Sequence, residues 1–152
     1  MCIAWCSARP SRIGCVQHHN GIFISSDGAR NFTEIKKAGP STFGFAVAVH
    51  PREPDTAGFV PEIKDEKRIP NEGKLVVTRT RDGAKTFDVL TKGLPQKHAY
   101  DVVYRHALAL DATGDRLAFG STTGGLWVSE NQGDSWSEIT HTLPPVYAVR
   151  FA

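Results

Sequence analysis

The chain has little of several features that define other protein classes. It has only three cysteines in 152 residues, at Cys2, Cys6 and Cys15. An odd, clustered set argues against a complete disulfide framework and fits a reducing compartment. No apolar run is long enough for a membrane span or a signal peptide. These absences predict a cytoplasmic protein with no membrane partner, unless a longer natural chain carries a signal ahead of Met1.

Strong charge and helical periodicity are also lacking. The formal net charge is +2, which is too small to indicate a nucleic-acid surface, and the mixed charges at 64–68 are interpreted as a solvated loop. Hydrophobic residues make up 40% of the chain, with 14 glycines and 9 prolines to supply turns. This composition is typical of a single all-β domain.

A pattern of eight residues occurs three times, at 25–32, 80–87 and 129–136. Each copy has a hydroxyl residue, then Asp or Asn, Gly and an aromatic residue, and the copies start roughly 50 residues apart, as expected of stacked multi-strand units. We assign structural roles in these turns to Ser25, Asp27, Gly28, Phe32, Thr80, Asp82, Gly83, Phe87, Ser129, Asn131, Gly133 and Trp136.

The residue types in the pattern predict a hydrogen-bonded turn. An Asp or Asn side chain accepts hydrogen bonds from backbone N–H groups just ahead of it, and Gly takes the positive-φ position. Gly133 sits one place later than Gly28 and Gly83, so the sequence predicts a slightly different third turn. The turn is interpreted as joining two strands rather than acting on a substrate.

Segments around each copy predict four antiparallel strands, the pattern of a propeller blade. Apolar strands with a shared aromatic and valine spacing are predicted at 45–49, 100–104 and 147–151, and two weaker strands at 2–7 and 13–17. We therefore predict one partial propeller over 1–152. Its blades are at about 1–40, 41–95 and 96–143, with the first strand of a further blade at 146–152.

The three copies resemble the Asp-box, or BNR, repeats of sialidases and related glycoside hydrolases, which also occur in sortilin-type receptors and in noncatalytic assembly factors. Ala29 and Ala84 stand where that family usually has a second Gly, and Asn131 replaces the Asp. The resemblance implies a β-propeller with the repeats between the third and fourth strands of each blade, away from any catalytic centre.

Three blades are fewer than the roughly four or more of a closed propeller. Three explanations stay open: a fragment of a protein about twice as long, a homodimer that closes the ring, or an open arc with exposed strand edges. Such edges invite association, so the open monomer is the least soluble of the three. We expect the fragment, with the homodimer as second choice.

The resemblance also implies where catalytic chemistry would lie. Sialidases use an arginine cluster, a tyrosine nucleophile and an Asp acid/base, and residues of suitable type occur on or near the predicted inner strands. The catalytic candidates are Tyr100, Asp101, Arg105 and Arg150, and the binding candidates are His106 and Tyr147. They do not map onto the sialidase motif residue by residue, and aromatic core packing is the competing interpretation of Tyr100 and Tyr147.

Other chemistries are less well supported. Asp101 and Asp111 are the acids near an inner strand, but a straight strand would hold them too far apart for a glycosidase pair. Cys15, His18 and His19 are too few for a zinc site, so we predict no metal and no cofactor. We predict a binding or scaffold module for a protein or glycan; the alternative is part of a sialidase-like or other glycoside hydrolase.

Overall fold

A computed structural model describes the backbone of residues 2–7 and residues 14–152 in full. The described chain is built of strands, with one short 3-10 turn at Asn71–Gly73. No helix in this part of the chain is long and apolar enough to cross a membrane. The strands are β1 (Cys2–Ser7), β2 (Gly14–His18), β3 (Gly21–Ser25), β4 (Thr33–Ile35), β5 (Phe43–Val49), β6 (Ala57–Glu62), β7 (Val77–Thr80), β8 (Asp88–Leu90), β9 (Leu108–Leu110), β10 (Leu117–Gly120), β11 (Leu126–Ser129) and β12 (Ser137–Thr140).

The strands form three four-stranded antiparallel sheets, β1 to β4, β5 to β8 and β9 to β12, each with its strands side by side in chain order. The first strand of the middle sheet, β5, contacts both β1 and β9, the first strands of the flanking sheets. This is the arrangement of propeller blades, with the first strand of each sheet innermost. The predicted all-β fold with about three blades is confirmed. Where one blade ends and the next begins between the sheets stays a prediction.

Apolar residues that alternate along the strands fill the spaces between sheets. Phe119, Trp127 and Trp136 pack between the second and third sheets, and the Phe119 and Trp127 rings stack with centroids 5.2 Å apart. Between the first and second sheets, Ile22 and Phe59 are almost fully buried. Burial of such large side chains from both faces is the main term that stabilises sheet stacking.

The repeated patterns form turns between the third and fourth strands of each sheet, and we call residues 25–32, 80–87 and 129–136 the repeat turns. Ser25 Oγ accepts from the N–H of Ala29 at 2.9 Å and donates to Asp27 Oδ1, which accepts from the N–H groups of Arg30 and Asn31. The second and third turns repeat this pattern through Thr80 with Asp82 and Ser129 with Asn131.

The third repeat turn does not differ from the others in backbone conformation. Each turn has two consecutive residues at positive φ: Gly28 and Ala29, Gly83 and Ala84, and Gln132 and Gly133. The later glycine in the third copy occupies the second of these positions, which alanine occupies in the first two copies. The expectation of a different third turn is therefore wrong.

Two predicted inner strands are also wrong. Residues 100–104 are irregular, and Leu108–Leu110 forms the inner strand by pairing with β10. Residues 100–104 instead lie alongside the connection between β10 and β11, where Thr122 donates its N–H to the Val102 carbonyl. Residues 147–151 form no strand. A single parallel bridge joins Ala148 to His106, and Val146 donates its N–H to Ser121 O, so this tail packs onto the third sheet.

The strand registers define two ends of the sheets. Gly14 pairs with Ser25, so the β2–β3 hairpin lies at the end opposite the first repeat turn. Ala57 pairs with Thr80 at the second repeat turn, whereas Glu62, at the far end of the same strand, pairs with Phe43. We call the end that holds the repeat turns the turn end, and the opposite end the hairpin end.

Candidate binding surface

A line of aromatic side chains crosses the hairpin end. It runs from His19 through Phe43, Phe45 and Tyr104 to Tyr147, and we call it the aromatic row. Adjacent ring centroids are 5.4 Å apart for Phe43 and Phe45, 5.2 Å for Phe45 and Tyr104, and 5.9 Å for Tyr104 and Tyr147. The His19 ring lies 6.4 Å from that of Phe43. Separations in this range are those of interacting aromatic pairs.

Each sheet supplies part of the aromatic row. His19 lies in the β2–β3 hairpin, Phe43 and Phe45 lie in β5, and Tyr104 precedes β9. The two phenylalanines are buried, Tyr104 is half-buried, and Tyr147 is 61% exposed. The row therefore has a buried centre at the two phenylalanines and reaches solvent at Tyr147.

A charged loop lies against the buried part of the row. Residues 63–69 follow β6, and within them the Arg68 guanidinium sits over the Phe45 ring, with its carbon 5.4 Å from the centroid. Arg68 also donates to Asp65 Oδ1 from Nη2 at 2.6 Å and from Nε at 3.1 Å. Asp65 in turn contacts His19 Nδ1 at 3.1 Å. The hydrogen bond from Arg68 lowers the pKa of Asp65.

Glu62, the last residue of β6, is buried beside this loop. Its exposed fraction is 1%, and neither carboxyl oxygen has a hydrogen-bond partner among the residues described. Burial raises the pKa of Glu62 to about 8, and the charge of Arg68 opposes that rise only in part. Glu62 is therefore a neutral acid at pH 7, because a carboxylate without partners is costly to bury.

The catalytic candidates from the sequence fall into different environments. Asp101 is buried and accepts hydrogen bonds from Ser121 Oγ at 2.8 Å and from Thr123 Oγ1. Its carboxylate anchors the β10–β11 connection. Tyr100 is 59% exposed and lines an open surface cleft with Lys67 and Lys97.

The remaining candidates lie near the tail. Arg105 and His106 are exposed, and the His106 carbonyl accepts from the N–H of Val149 at 2.9 Å and from Arg150 Nη1 at 3.1 Å. Arg150 thus fastens the tail to the third sheet. Of the predicted site residues, Tyr147 is the one that joins the aromatic row.

The two acids weighed as a glycosidase pair are both engaged in local hydrogen bonds. Asp111 accepts hydrogen bonds from Thr113 Oγ1 and from the N–H of Gly114 within its own turn. Asp101 likewise accepts a hydrogen bond from Ser121 in the β10–β11 connection. Within residues 14–152, no three His, Cys, Asp or Glu side chains gather into a metal-binding group. Cys15 lies in the core between the first two sheets.

Sequence reasoning missed His19, Phe43, Phe45, Tyr104 and Arg68 as members of one surface. Phe45 and Tyr104 stand out in the sequence as aromatic residues at either end of predicted inner strands. Their contact depends on β5 and the segment before β9 lying side by side, which the sequence pattern does not encode locally.

No family model and no curated protein sequence matches the chain. Solved structures do match in fold. An ancestral GH74 enzyme superposes with a TM-score of 0.70 at 17% identity, covering 93% of this chain and 18% of that one. The GH74 xyloglucanase from Xanthomonas campestris gives 0.67 at 20% identity, covering 90% of this chain and 20% of the enzyme.

A structure of YCF48 bound to D1 peptide matches with a TM-score of 0.61 at 11% identity, covering 93% of this chain and 44% of YCF48. At these identities the likeness defines a fold, and the class of protein is a β-propeller module. The chain spans about a fifth of the two GH74 enzymes and less than half of YCF48.

Proposed function

We propose that this chain is a binding module of the Asp-box propeller type and that its aromatic row receives a protein or glycan ligand. The observation that carries the proposal is the row itself, a line of rings that crosses three sheets at the end opposite the repeat turns. At the opposite end, the hydroxyl side chains of the repeat turns are engaged in structural hydrogen bonds.

The chemistry of the row supports this role. Tyr104 and Tyr147 stack with an interplanar angle of 27°, and Tyr147 remains largely open to solvent. Tyrosine offers a flat apolar face together with a hydroxyl, the combination enriched at binding surfaces. Peptide binding by the propeller neighbour YCF48 supports a protein ligand, and the glycoside hydrolase neighbours support a glycan.

The proposal is tested by screening the purified chain on peptide and glycan arrays. Tyr147→Ala is expected to abolish the signal of true ligands, because it removes the exposed ring. Ile139→Ala is the matched control, since Ile139 is 59% exposed but lies on the outer strand β12. Ligands that survive Tyr147→Ala but are lost with Ile139→Ala would place recognition elsewhere.

A second candidate function is glycoside hydrolysis, with Glu62 as the general acid. One observation favours it: a carboxyl group that keeps its proton at neutral pH suits protonation of a leaving group. Such enzymes need a second carboxylate, and both Asp101 and Asp111 already accept hydrogen bonds. Hydrolysis of a fluorogenic sialoside and β-glucoside panel that disappears in Glu62→Gln would favour this function over binding.

A further inference from the structure

The hairpin end contains an acid whose hydrogen-bonding capacity is unused. Glu62 is 1% exposed and both of its oxygens lack a partner in the described part of the chain. It pairs in register with Phe43, whose ring lies 5.4 Å from that of Phe45. The buried carboxyl therefore belongs to the residue opposite Phe43, the first of two contacting rings, at the point where the loop 63–69 leaves β6.

The chain itself places a guanidinium at this point. Arg68 covers the Phe45 ring and is the nearby cation that acts on Glu62. Its hydrogen bonds, however, go to Asp65 rather than to Glu62. The aromatic face is thus filled by a cation while the carboxyl behind it stays unpaired.

An aromatic ring and a carboxyl group together are complementary to a guanidinium. The ring face attracts the cation, and a carboxylate accepts two parallel N–H bonds from the planar group. A lysine ammonium has no such fork and is more strongly hydrated, so arginine is the better match. Common glycans carry no planar cation that could donate two parallel N–H bonds in this way.

We propose that Glu62, Phe43 and Phe45 form a pocket for an arginine side chain of a protein partner, and that Arg68 occupies its entrance until the partner's arginine displaces it. This inference rests on the proposed binding function and narrows its ligand to a protein. The exposed pair of Arg68 with Asp65 is of a kind that contributes little to stability, so Arg68 is readily displaced.

Binding is coupled to the ionisation of Glu62. Among the residues whose side chains the structure describes, the charged and titratable groups around the pocket include His19, Asp65, Arg68 and Tyr104. Before a partner binds, Glu62 holds its proton at pH 7, and an arriving guanidinium favours the carboxylate. The proton from the Glu62 carboxyl passes to the buffer, so up to about one proton is released per arginine bound.

The test uses the peptide acetyl-Gly-Arg-Gly-amide, with the neutral citrulline analogue as its isostere, and follows amide chemical shifts by NMR. The arginine peptide is expected to bind and the citrulline peptide to bind at least tenfold more weakly. Glu62→Gln is expected to lose at least tenfold in affinity, whereas Arg68→Ala is expected to gain several-fold because the internal competitor is removed.

Arg52→Ala provides the matched control, since Arg52 is an exposed arginine at the opposite end of β5 and should leave the affinity unchanged. Calorimetry of Arg68→Ala in buffers of different ionisation enthalpy should report the released proton. Equal binding of the two peptides, full affinity in Glu62→Gln, or no binding to Arg68→Ala would overturn the pocket.

The variants distinguish failure of the arginine-pocket proposal from failure of the proposed ligand binding at the aromatic row. If array ligands depend on Tyr147 but not on Glu62, the row binds ligands and the arginine pocket is wrong. If the arginine peptide depends on Glu62 while no ligand depends on Tyr147, the pocket is right and the row is wrong. Circular dichroism of each variant establishes that it is folded.

Discussion

Arg79 in β7 donates a hydrogen bond of 2.7 Å from Nη1 to the backbone carbonyl of Gln132 in the third repeat turn. The same nitrogen lies 2.7 Å from Asp134 Oδ1, and Nη2 lies 3.3 Å from Asp88 Oδ2. The Arg79 side chain is 7% exposed. A repeat turn of the third sheet is therefore fixed to the second sheet by one buried guanidinium.

Replacing Arg79 by alanine is expected to lower the free energy of unfolding by about 2–3 kcal/mol, because three charge-assisted contacts are lost while the carboxylates remain hydrated. The measurement is urea denaturation followed by tryptophan fluorescence. Arg81→Ala is the control: Arg81 is 49% exposed and 3.8 Å from Asp134, so its loss should cost less than about 1 kcal/mol. Equal effects of the two substitutions would contradict the role of the buried guanidinium.

The repeat turns predict a specific acid sensitivity. Backbone and side-chain hydrogen bonds from Asn31 lower the pKa of Asp27 to about 2, and those from Thr86 lower that of Asp82 to about 2. Because the folded-state pKa lies below the unfolded value, both groups stabilise the fold above about pH 4 and lose this contribution as pH falls toward 2.

The third turn supplies the natural comparison, since Asn131 makes the same backbone contact without a charge. The double substitution Asp27→Asn and Asp82→Asn is expected to flatten the fall in melting temperature between pH 4 and pH 2. Asn131→Asp should steepen it. Thermal melts of the three proteins at pH 2, 3, 4 and 5 provide the measurement, and identical profiles would show that these turns do not titrate with folding.

Ala29 is strained in a way that one substitution can relieve. Its φ is 68°, a conformation that costs an L-residue with a side chain about 1–2 kcal/mol, and it is exposed, so its methyl group packs against little. Glycine relieves this strain but loses more conformational entropy on folding than alanine. The net effect expected of Ala29→Gly is a rise of about 0.5–1 kcal/mol in the free energy of unfolding.

Ala84 has the same conformation, with a φ of 67°, but is buried. Ala84→Gly is therefore expected to gain less than Ala29→Gly, because removal of the methyl group also loses packing. Chemical denaturation of both variants separates backbone strain from burial. A loss of stability in Ala29→Gly would mean that the turn tolerates alanine without strain.

Local chemistry explains which parts of the fold are predictable from sequence. The repeat turns follow from contacts within eight residues, and the strands on either side follow from alternating apolar residues. Residues 100–104 carry the same aromatic and valine spacing as 45–49, so the sequence predicts the inner strand of the third sheet there rather than at Leu108–Leu110. In the fold this segment is irregular, and its Asp101 is buried against Ser121, some twenty residues away.

The candidate surface is less predictable because its members are distant in the chain. His19, Phe45, Tyr104 and Tyr147 meet only when three sheets stack side by side. Glu62 lies at the edge of a charge-rich segment that reads as a solvated loop. Its pairing with Phe43 makes it instead the last buried residue of β6, and this pairing is set by sheet register rather than by composition.

The buried Glu62 predicts that stability falls as the solution becomes more alkaline. Its pKa is raised from 4.5 to about 8 in the folded chain, so between these values the folded state holds a proton that the unfolded state has released. The free energy of unfolding should therefore decrease by roughly 1.4 kcal/mol per pH unit across this window and level off above about pH 8. Urea denaturation at pH 5, 6, 7 and 8 measures the slope.

Glu62→Gln keeps the shape of the side chain but cannot ionise, so this variant should lose the slope and be more stable than the natural chain at pH 7. Glu66→Gln is the matched control, because Glu66 lies in the same loop with its side chain 78% exposed and should leave the profile unchanged. If Glu62→Gln and the natural chain fall in parallel from pH 5 to pH 8, the carboxyl is already ionised in the folded state. The Glu62 carboxylate would then have to be paired with a buried cation, and the proposed pocket could not accept a partner's arginine.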